Sequence, residues 1–278
     1  MSGEIGIATI VTEAFVDEFA ILKYSFELFH GTGCRWFVRC DRASVPALSA
    51  YDNVSCVVFA ERQADRPETK SALFLRIMAE KMNAMEDAWS ALADCEGVIL
   101  LDADLVFMAP VLETIRAMDG DLILSPNYYP NGREHLVARD GEFNAGFVFT
   151  RSRTFHDWWR AAYDADPVKN NEQVCLNQVR EHFVIAVLGE NANIGFWRTT
   201  NLPYKEIPAD CSFLHVHLYQ PLSTLRHWLD KSFALHCMHF LMISASREHR
   251  LLFEHIREKD RHGWFDASLR VCGAVVQA

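Results

Sequence analysis

GVILLDADLVFMAP, residues 97–110, joins a run of four apolar residues to two carboxylates, Asp102 and Asp104. The apolar run from Val98 to Leu101 predicts a buried β-strand. Because side chains alternate along a strand, both aspartates are expected on the same side, a few ångströms apart. Two like charges about 4 Å apart repel by roughly 4 kcal/mol at an effective dielectric constant near 20. A positively charged partner, or a proton on one carboxylate, is therefore expected beside them.

Apolar patterns on both sides of this stretch alternate between strand and helix. A β-branched run predicts a first strand over residues 5–11, and a stripe from Phe15 to Phe29 predicts a helix that ends near Gly31. Similar patterns predict further strands over 36–41, 54–59, 122–125 and 146–150, and further helices over 74–92 and 172–182. The alternation predicts an α/β fold with a mixed, mainly parallel sheet flanked by helices.

The last part of the chain is expected to be helical. Leu225, Trp228 and Leu229 recur at helical spacing after Pro221. We therefore expect residues 1–221 to form the main α/β domain and residues 222–278 to form a helical C-terminal extension packed on it.

Composition limits the classes of protein that the chain can belong to. Half of its 278 residues are hydrophobic, at 50%, which is enough for a large core. The net charge of -10 disfavours broad contact with nucleic acid or anionic membranes. There is no apolar run of the roughly 18 residues that span a membrane, and no signal-peptide pattern at the N-terminus. The eight cysteines include no Cys-x-x-Cys pair. We expect a cytoplasmic protein with reduced thiols and no transmembrane segment.

The place of the two aspartates suggests a ligand. In open α/β sheets, ligands bind beyond the carboxyl ends of strands, where Asp102 and Asp104 are predicted to lie. Mg²⁺ or Mn²⁺ commonly bridges one or two carboxylates to the phosphates of a substrate. The alternative is a pair of aspartates that cap an ordinary turn, although the apolar residues that follow are not typical of one.

One enzyme class with this motif is the haloacid-dehalogenase-type phosphatases. Residues 102–106 fit their Asp-x-Asp-x-Thr/Val pattern, in which the first aspartate, here Asp102, is the nucleophile. Those enzymes also need a later acidic pair such as Gly-Asp-x-x-x-Asp. Gly120 and Asp121 are followed by Leu-Ile-Leu-Ser, so that second acidic residue is missing.

Five features resemble a different class. They are the opening strand with its Thr-rich turn at Thr9 to Thr12, Lys81 on the helix before the motif, the Asp-Ala-Asp motif itself, FNAGF at 143–147, and NEQ at 171–173 followed by Leu176 and Asn177. In this order and spacing they resemble the nucleotide-diphospho-sugar transferases of the GT-A fold, most like the branch of glycogenin and the lipopolysaccharide galactosyltransferases. The resemblance covers roughly residues 4–221.

The resemblance implies roles for particular residues. Glu172, Gln173 and Asn144 would lie close to the donor sugar, with Glu172 standing where the family usually has Asp. The metal ligands would be Asp102, Asp104 and a histidine, with His215 favoured over His217, which alternation places on the same face. Eight further residues would border the donor: Thr9, Val11, Thr12, Asp41, Lys81, Ala103, Ala145 and Gly146.

Each of these features also has an ordinary structural interpretation. Lys81 lies on the apolar side of its helix, where its stem could pack while its amine reaches solvent. Asn144 to Gly146 could be a plain turn into a strand, and His215 and His217 could be exposed strand residues.

The function implied by the resemblance is metal-dependent transfer of a sugar from a nucleotide-diphospho-sugar, with UDP as the expected nucleotide and Mn²⁺ or Mg²⁺ as the ion. Retention of the anomeric configuration is favoured, although Asp140, Glu142 and Glu172 are all available as a base for inversion. The acceptor is open among saccharides, proteins and small molecules. The rival hypotheses are the phosphatase and a non-catalytic protein that binds sugar nucleotides.

Overall fold

The structure is a computed structural model, and it describes residues 3–60, 70–129, 132, 135–166, 172–198, 207–219 and 225–260. Its strands are β1 (Ile5–Val11), β2 (Arg35–Asp41), β3 (Val54–Ala60), β4 (Gly97–Leu101), β5 (Leu105–Phe107), β6 (Leu122–Pro126), β7 (Phe143–Thr150), β8 (Ile185–Val187), β9 (Asn193–Gly195) and β10 (Phe213–His215). Its helices are α1 (Val16–His30), α2 (Val45–Leu48), α3 (Lys70–Ala91), α4 (Leu112–Ala117), α5 (His135–Asp140), α6 (Phe155–Ala165), α7 (Glu172–Cys175), α8 (Leu225–Ile243) and α9 (Arg247–Lys259).

The strands form two sheets. The larger sheet has seven strands in the order β3-β2-β1-β4-β7-β6-β8, and the smaller has three in the order β5-β10-β9. In the larger sheet β7 runs antiparallel to both β4 and β6, while the other neighbouring strands are parallel. The prediction of a mixed, mainly parallel sheet is confirmed.

The central strand β4 shows why helices cover both faces of the large sheet. All five of its residues are buried. Ile99 and Leu101 pack on the face that α1 covers, whereas Val98 and Leu100 pack on the face that α3 and α6 cover. A strand buried on both faces needs an uninterrupted apolar run, which residues 98–101 supply. Burying each large side chain contributes about 1.5–3 kcal/mol.

The chain changes sheet directly after β4. The amide of Leu105 donates a hydrogen bond to the carbonyl of Asp102 at 3.2 Å, so residues 102–105 form a turn that leads into β5. The two aspartates are thus brought together by a turn between the two sheets. They do not continue a strand, contrary to the expectation from the sequence; the turn is the physical reason that both lie at the carboxyl end of β4.

The C-terminal helices pack against α1 and the small sheet. Buried residues of α8 and α9, among them Phe233, Met238 and Leu252, share one apolar cluster with Ile21 of α1 and Val216. Residues 220–224, on which the expected boundary between 221 and 222 falls, lie outside the described residues. That boundary therefore stays a prediction.

Among the described residues, no helix combines the length and the hydrophobicity that a membrane span needs.

Candidate functional site

Three potential metal ligands come together at the carboxyl end of β4. One ligand atom each of Asp102, Asp104 and His215 lies within 4.8 Å of the other two. The amide of Asp102 donates to the carbonyl of Gly146 at 2.9 Å, which ties the turn to β7. Two carboxylates and an imidazole are a donor set that suits Mn²⁺, and the carboxylates also suit Mg²⁺.

Asp104 is buried, with 6% of its surface exposed, and it lies between two histidines. The Nε2 atom of His215 is 3.1 Å from its Oδ1, and the Nδ1 atom of His217 is 2.9 Å from its Oδ2. Burial alone would raise the pKa of Asp104, but the two imidazoles outweigh this and hold the pKa well below its ordinary value. The carboxylate is therefore ionised and able to bind a cation.

Lys81 supplies the positive charge that the paired aspartates were expected to need. Its Nζ lies 2.8 Å from Oδ1 of Asp102 and 2.7 Å from Oε1 of Glu172. Burial would lower the pKa of Lys81, but the charges of Asp102 and Glu172 raise it above its ordinary value. The amine points into the site rather than to solvent.

Asn144, Ala145 and Gly146 lie in β7 beside the acidic residues. Asn144 Oδ1 accepts a hydrogen bond from the amide of Gly146 at 3.0 Å. Its Nδ2 donates to Oδ1 of Asn127 at 3.3 Å. A Cβ atom at Gly146 would come within 2.6 Å of Cε1 of His215 and 3.0 Å of Oδ2 of Asp102. Only glycine therefore fits between the two metal-ligand candidates.

Glu172 and Gln173 begin α7 and face this segment. Glu172 is buried, and its carbonyl accepts a hydrogen bond from the indole of Trp159 at 2.9 Å. Gln173 Oε1 accepts from the amide of Ala145 at 2.9 Å, and its Nε2 donates to the carbonyl of Asp140. Gln173 thus joins α7 to β7. Asn171, which the sequence placed in the same motif, lies outside the described residues.

The residues expected to border a nucleotide lie at the carboxyl ends of β1 and β2. Thr9, Val11 and Thr12 are buried, and the hydroxyls of both threonines have no hydrogen-bond partner among the described residues. Asp41 is engaged by the protein itself, because its carboxylate accepts from the amide of Glu13 at 3.0 Å and from the amide and hydroxyl of Ser44. Its carboxylate therefore fixes the turn that follows Thr12.

Three residues of the site were not found by sequence reasoning. Trp197 packs edge-on against His215, with ring centroids 5.2 Å apart, and its indole donates to the carbonyl of Asn127 at 3.0 Å. Glu18 is buried on α1 close to Asp104 and His217. Glu18 did carry a signal, since it lies three residues after Phe15 and four before Leu22 on an apolar stripe, as Lys81 does on its own helix. Asn127 and Trp197 show no comparable signal in the sequence.

The chain is similar to a known protein in its structure and not detectably in its sequence. No model of a known protein family and no curated protein sequence matches the chain. A solved structure of the galactosyltransferase LgtC in complex with donor and acceptor sugar analogues is similar, with a TM-score of 0.54 and 14% sequence identity, over 89% of this chain and 99% of that chain. The shared architecture is the one that the Asp-Ala-Asp motif and its neighbours indicated. The chain has the GT-A fold.

Proposed function

We propose that the protein is a metal-dependent glycosyltransferase that moves a sugar from a nucleotide-diphospho-sugar to the hydroxyl of an acceptor. The observation that carries the proposal is the group of Asp102, Asp104 and His215 at the carboxyl edge of a GT-A sheet. The similar structure is that of a galactosyltransferase bound to sugar analogues, which supports the same class of reaction here.

The donor set fits a divalent cation. Asp102, Asp104 and His215 would hold it, and Mn²⁺ is favoured over Mg²⁺ because imidazole nitrogen suits Mn²⁺ better. When bound, such an ion acts as a Lewis acid that stabilises negative charge on a diphosphate leaving group.

The protein's own residues would position the donor. The buried hydroxyls of Thr9 and Thr12 have no hydrogen-bond partner among the described residues and are free to bond the nucleotide, for which UDP is our choice by family resemblance. Oε2 of Glu172 is also buried without a described partner, so it can accept a hydrogen bond from a sugar hydroxyl. Gln173 would act by holding Ala145, and Asn144 by fixing Gly146 against the donor.

We favour retention of the anomeric configuration, as the family resemblance implies, and the pairing of the carboxylates supports this choice. A cation pairs with each of the three candidates for a base, as Asp140 meets Arg139, Glu142 meets Arg180 and Glu172 meets Lys81. A retaining reaction needs no such base, because the leaving phosphate can accept the proton of the acceptor hydroxyl.

The phosphatase hypothesis would use Asp121 of the Gly120-Asp121 pair as its later acidic residue, and Asp121 does not lie beside Asp102. Asp121 precedes β6, and the register of β6, β7 and β4 sets Leu122 level with Val98. Asp121 therefore lies near the opposite end of β4 from Asp102, where its carboxylate accepts a hydrogen bond from the amide of Val184 at 3.0 Å.

The proposal is tested by turnover. Purified protein is incubated with UDP-glucose, UDP-galactose or UDP-N-acetylglucosamine and Mn²⁺, and the release of UDP and sugar is followed by chromatography, with water as a substitute acceptor. We expect one donor to be hydrolysed, with the α-anomer appearing first by NMR. Asp104→Asn should abolish the release of UDP and sugar. Asp94→Asn should not, since Asp94 is exposed in the loop before β4, at the opposite end of that strand from Asp102. Nucleotide binding without any turnover would favour the non-catalytic alternative.

A further inference from the structure

The two oxygens of Asp104 face different histidines. Oδ1 lies 3.1 Å from Nε2 of His215, and Oδ2 lies 2.9 Å from Nδ1 of His217. The compact group of ligand atoms comprises Asp102, Asp104 and His215 and does not include His217. Of the two histidines, His215 therefore belongs to the candidate metal site and His217 does not, although both contact the same carboxylate.

The surroundings of the two rings differ as well. His215 lies against Gly146 and Trp197, and its Cε1 and Oδ2 of Asp102 would both contact a Cβ atom placed at position 146. The ring of His217 instead packs against Phe15, just before α1, with centroids 6.3 Å apart and an interplanar angle of 65°. His215 thus lies towards Asp102, and His217 lies towards α1.

Glu18 of α1 holds the segment that carries His217. It is 2% exposed, and its Oε1 accepts a hydrogen bond from the amide of Tyr219 at 3.2 Å. The hydroxyl of Tyr219 donates to the carbonyl of Ile256 in α9 at 2.7 Å. On the other side, the amide of Val216 donates to the carbonyl of Asp104 at 3.0 Å. Residues 216–219 are therefore anchored to α1, to α9 and to the turn of the aspartates.

We propose that His217 is a positioning residue that holds Oδ2 of Asp104, and that Glu18 is the buried anchor of the segment from which His217 reaches it. The inference rests on the proposed metal-dependent function. A carboxylate oxygen only accepts hydrogen bonds, so His217 would hold Oδ2 by donating from Nδ1, which lies 2.9 Å away, and a neutral imidazole with its proton on Nδ1 is sufficient. Asp104 would then remain available to hold a divalent ion, together with Asp102 and His215. Groups that hold metal-binding side chains in this way typically account for about 10- to 100-fold in metal affinity.

The test separates positioning from ligation through Mn²⁺ itself. Mn²⁺ affinity is measured by calorimetry, and pulsed electron paramagnetic resonance at saturating Mn²⁺ counts the coordinated imidazole nitrogens. His217→Phe keeps an aromatic ring beside Phe15 but removes the donor, and His217→Gln restores an N–H donor without an imidazole. His182→Gln serves as a control, since His182 is exposed and precedes β8 at the far edge of the sheet.

We expect the wild type to show one coordinated imidazole nitrogen, which His215→Gln removes and both His217 variants keep. His217→Phe should weaken Mn²⁺ binding about 10- to 100-fold, and His217→Gln should recover most of that loss. Glu18→Gln should weaken it by a smaller factor, because the glutamine carbonyl can still accept from Tyr219. The control should bind Mn²⁺ like the wild type.

Two results would overturn the inference and leave the proposed function standing: a second imidazole nitrogen in the wild type that His217→Gln removes, or unchanged Mn²⁺ affinity in His217→Phe. A wild-type protein that binds no Mn²⁺ would instead overturn the proposed function and this inference with it.

Discussion

Lys81 and Glu172 are 91 positions apart in sequence, and their charged groups meet at 2.7 Å inside the protein. Lys81 comes from α3 on one face of the large sheet, and Glu172 begins α7. The same amine lies 2.8 Å from Asp102, so one buried cation holds a carboxylate of the candidate metal site and a carboxylate expected beside the donor sugar. This link makes the geometry of the two carboxylates interdependent.

Removing the cation should cost both stability and function. Lys81→Met leaves the buried carboxylate of Glu172 without its partner, and breaking a buried ion pair from one side typically costs about 3–5 kcal/mol. The double variant Lys81→Met/Glu172→Gln leaves no buried unpaired charge and should regain most of the stability, yet it should transfer no sugar. Urea denaturation of both variants measures the loss of stability, and donor hydrolysis measures the loss of function. A single variant with the unfolding midpoint of the wild type would show that the pair is not buried as described.

Gly146 should be intolerant of any side chain. In Gly146→Ala the new Cβ would meet Cε1 of His215 at 2.6 Å and Oδ2 of Asp102 at 3.0 Å, so one of these groups must move. We expect Mn²⁺ affinity to fall at least about tenfold, as for other changes beside metal ligands, with little change in the circular dichroism spectrum. The matched control is Gly33→Ala, because a Cβ there has no neighbour within 4 Å. Equal Mn²⁺ affinity in the two variants would argue against the placement of His215.

Gly141 should be needed both for its backbone conformation and for its contact with α7. Its φ is +93°, and a Cβ there would meet the carbonyl oxygen of Gln173 at 2.8 Å. Gly31 has a comparable φ of +77° but open space around it. Gly31→Ala should therefore lose only the conformational term of about 1 kcal/mol, while Gly141→Ala should lose more and also slow turnover by displacing Gln173. Thermal unfolding and donor hydrolysis of the pair check this, and equal losses in both would contradict it.

The buried carboxyl of Glu18 should make stability depend on pH. Burial raises its pKa from 4.5 to about 7, with Asp104 adding to the rise and His217 opposing it. Because the folded pKa is raised, its stabilising contribution is complete below pH 4.5 and is lost as the pH rises through about 7. Relative to Glu18→Gln, which does not titrate, the wild type should lose about 2 to 3 kcal/mol of unfolding free energy between pH 5 and pH 8. Urea denaturation in buffer with a chelator measures the difference, and a pH-independent difference between the two proteins would contradict the buried position of Glu18.

Much of the fold was visible in the sequence because it rests on local patterns. The strands β1 to β4, β6 and β7 and the helices α1 and α3 coincide with apolar periodicity that needs no distant partner. The position of Asp102 and Asp104 followed from the apolar run before them. The charge of Lys81 on an apolar face was a further local signal, and the structure shows the carboxylates that it meets.

The rest of the fold depends on contacts between distant residues, which a short sequence pattern does not reveal. The small sheet joins three strands of three residues each, β5, β9 and β10, and no local pattern shows that these strands pair with one another. The helix predicted over 172–182 is the four-residue α7 followed by a 3-10 helix over Leu176–Glu181. Helix α5, residues His135–Asp140, was not among the predicted helices. The amphipathic helix α6 was missed, although Phe155, Trp159 and Tyr163 recur there every four residues.

We propose that the protein binds a nucleotide through a metal ion beyond the carboxyl ends of β1 and β4. The most direct measurement is calorimetric titration of UDP, GDP and ADP into the wild type, into Asp102→Asn/Asp104→Asn and into Asp94→Asn, each with Mn²⁺ and with a chelator. We expect UDP to bind the wild type and Asp94→Asn with Mn²⁺, and to lose this binding with the chelator or in the double variant. No binding of any nucleotide, or UDP binding that is equally strong without Mn²⁺ and in the double variant, would contradict the account.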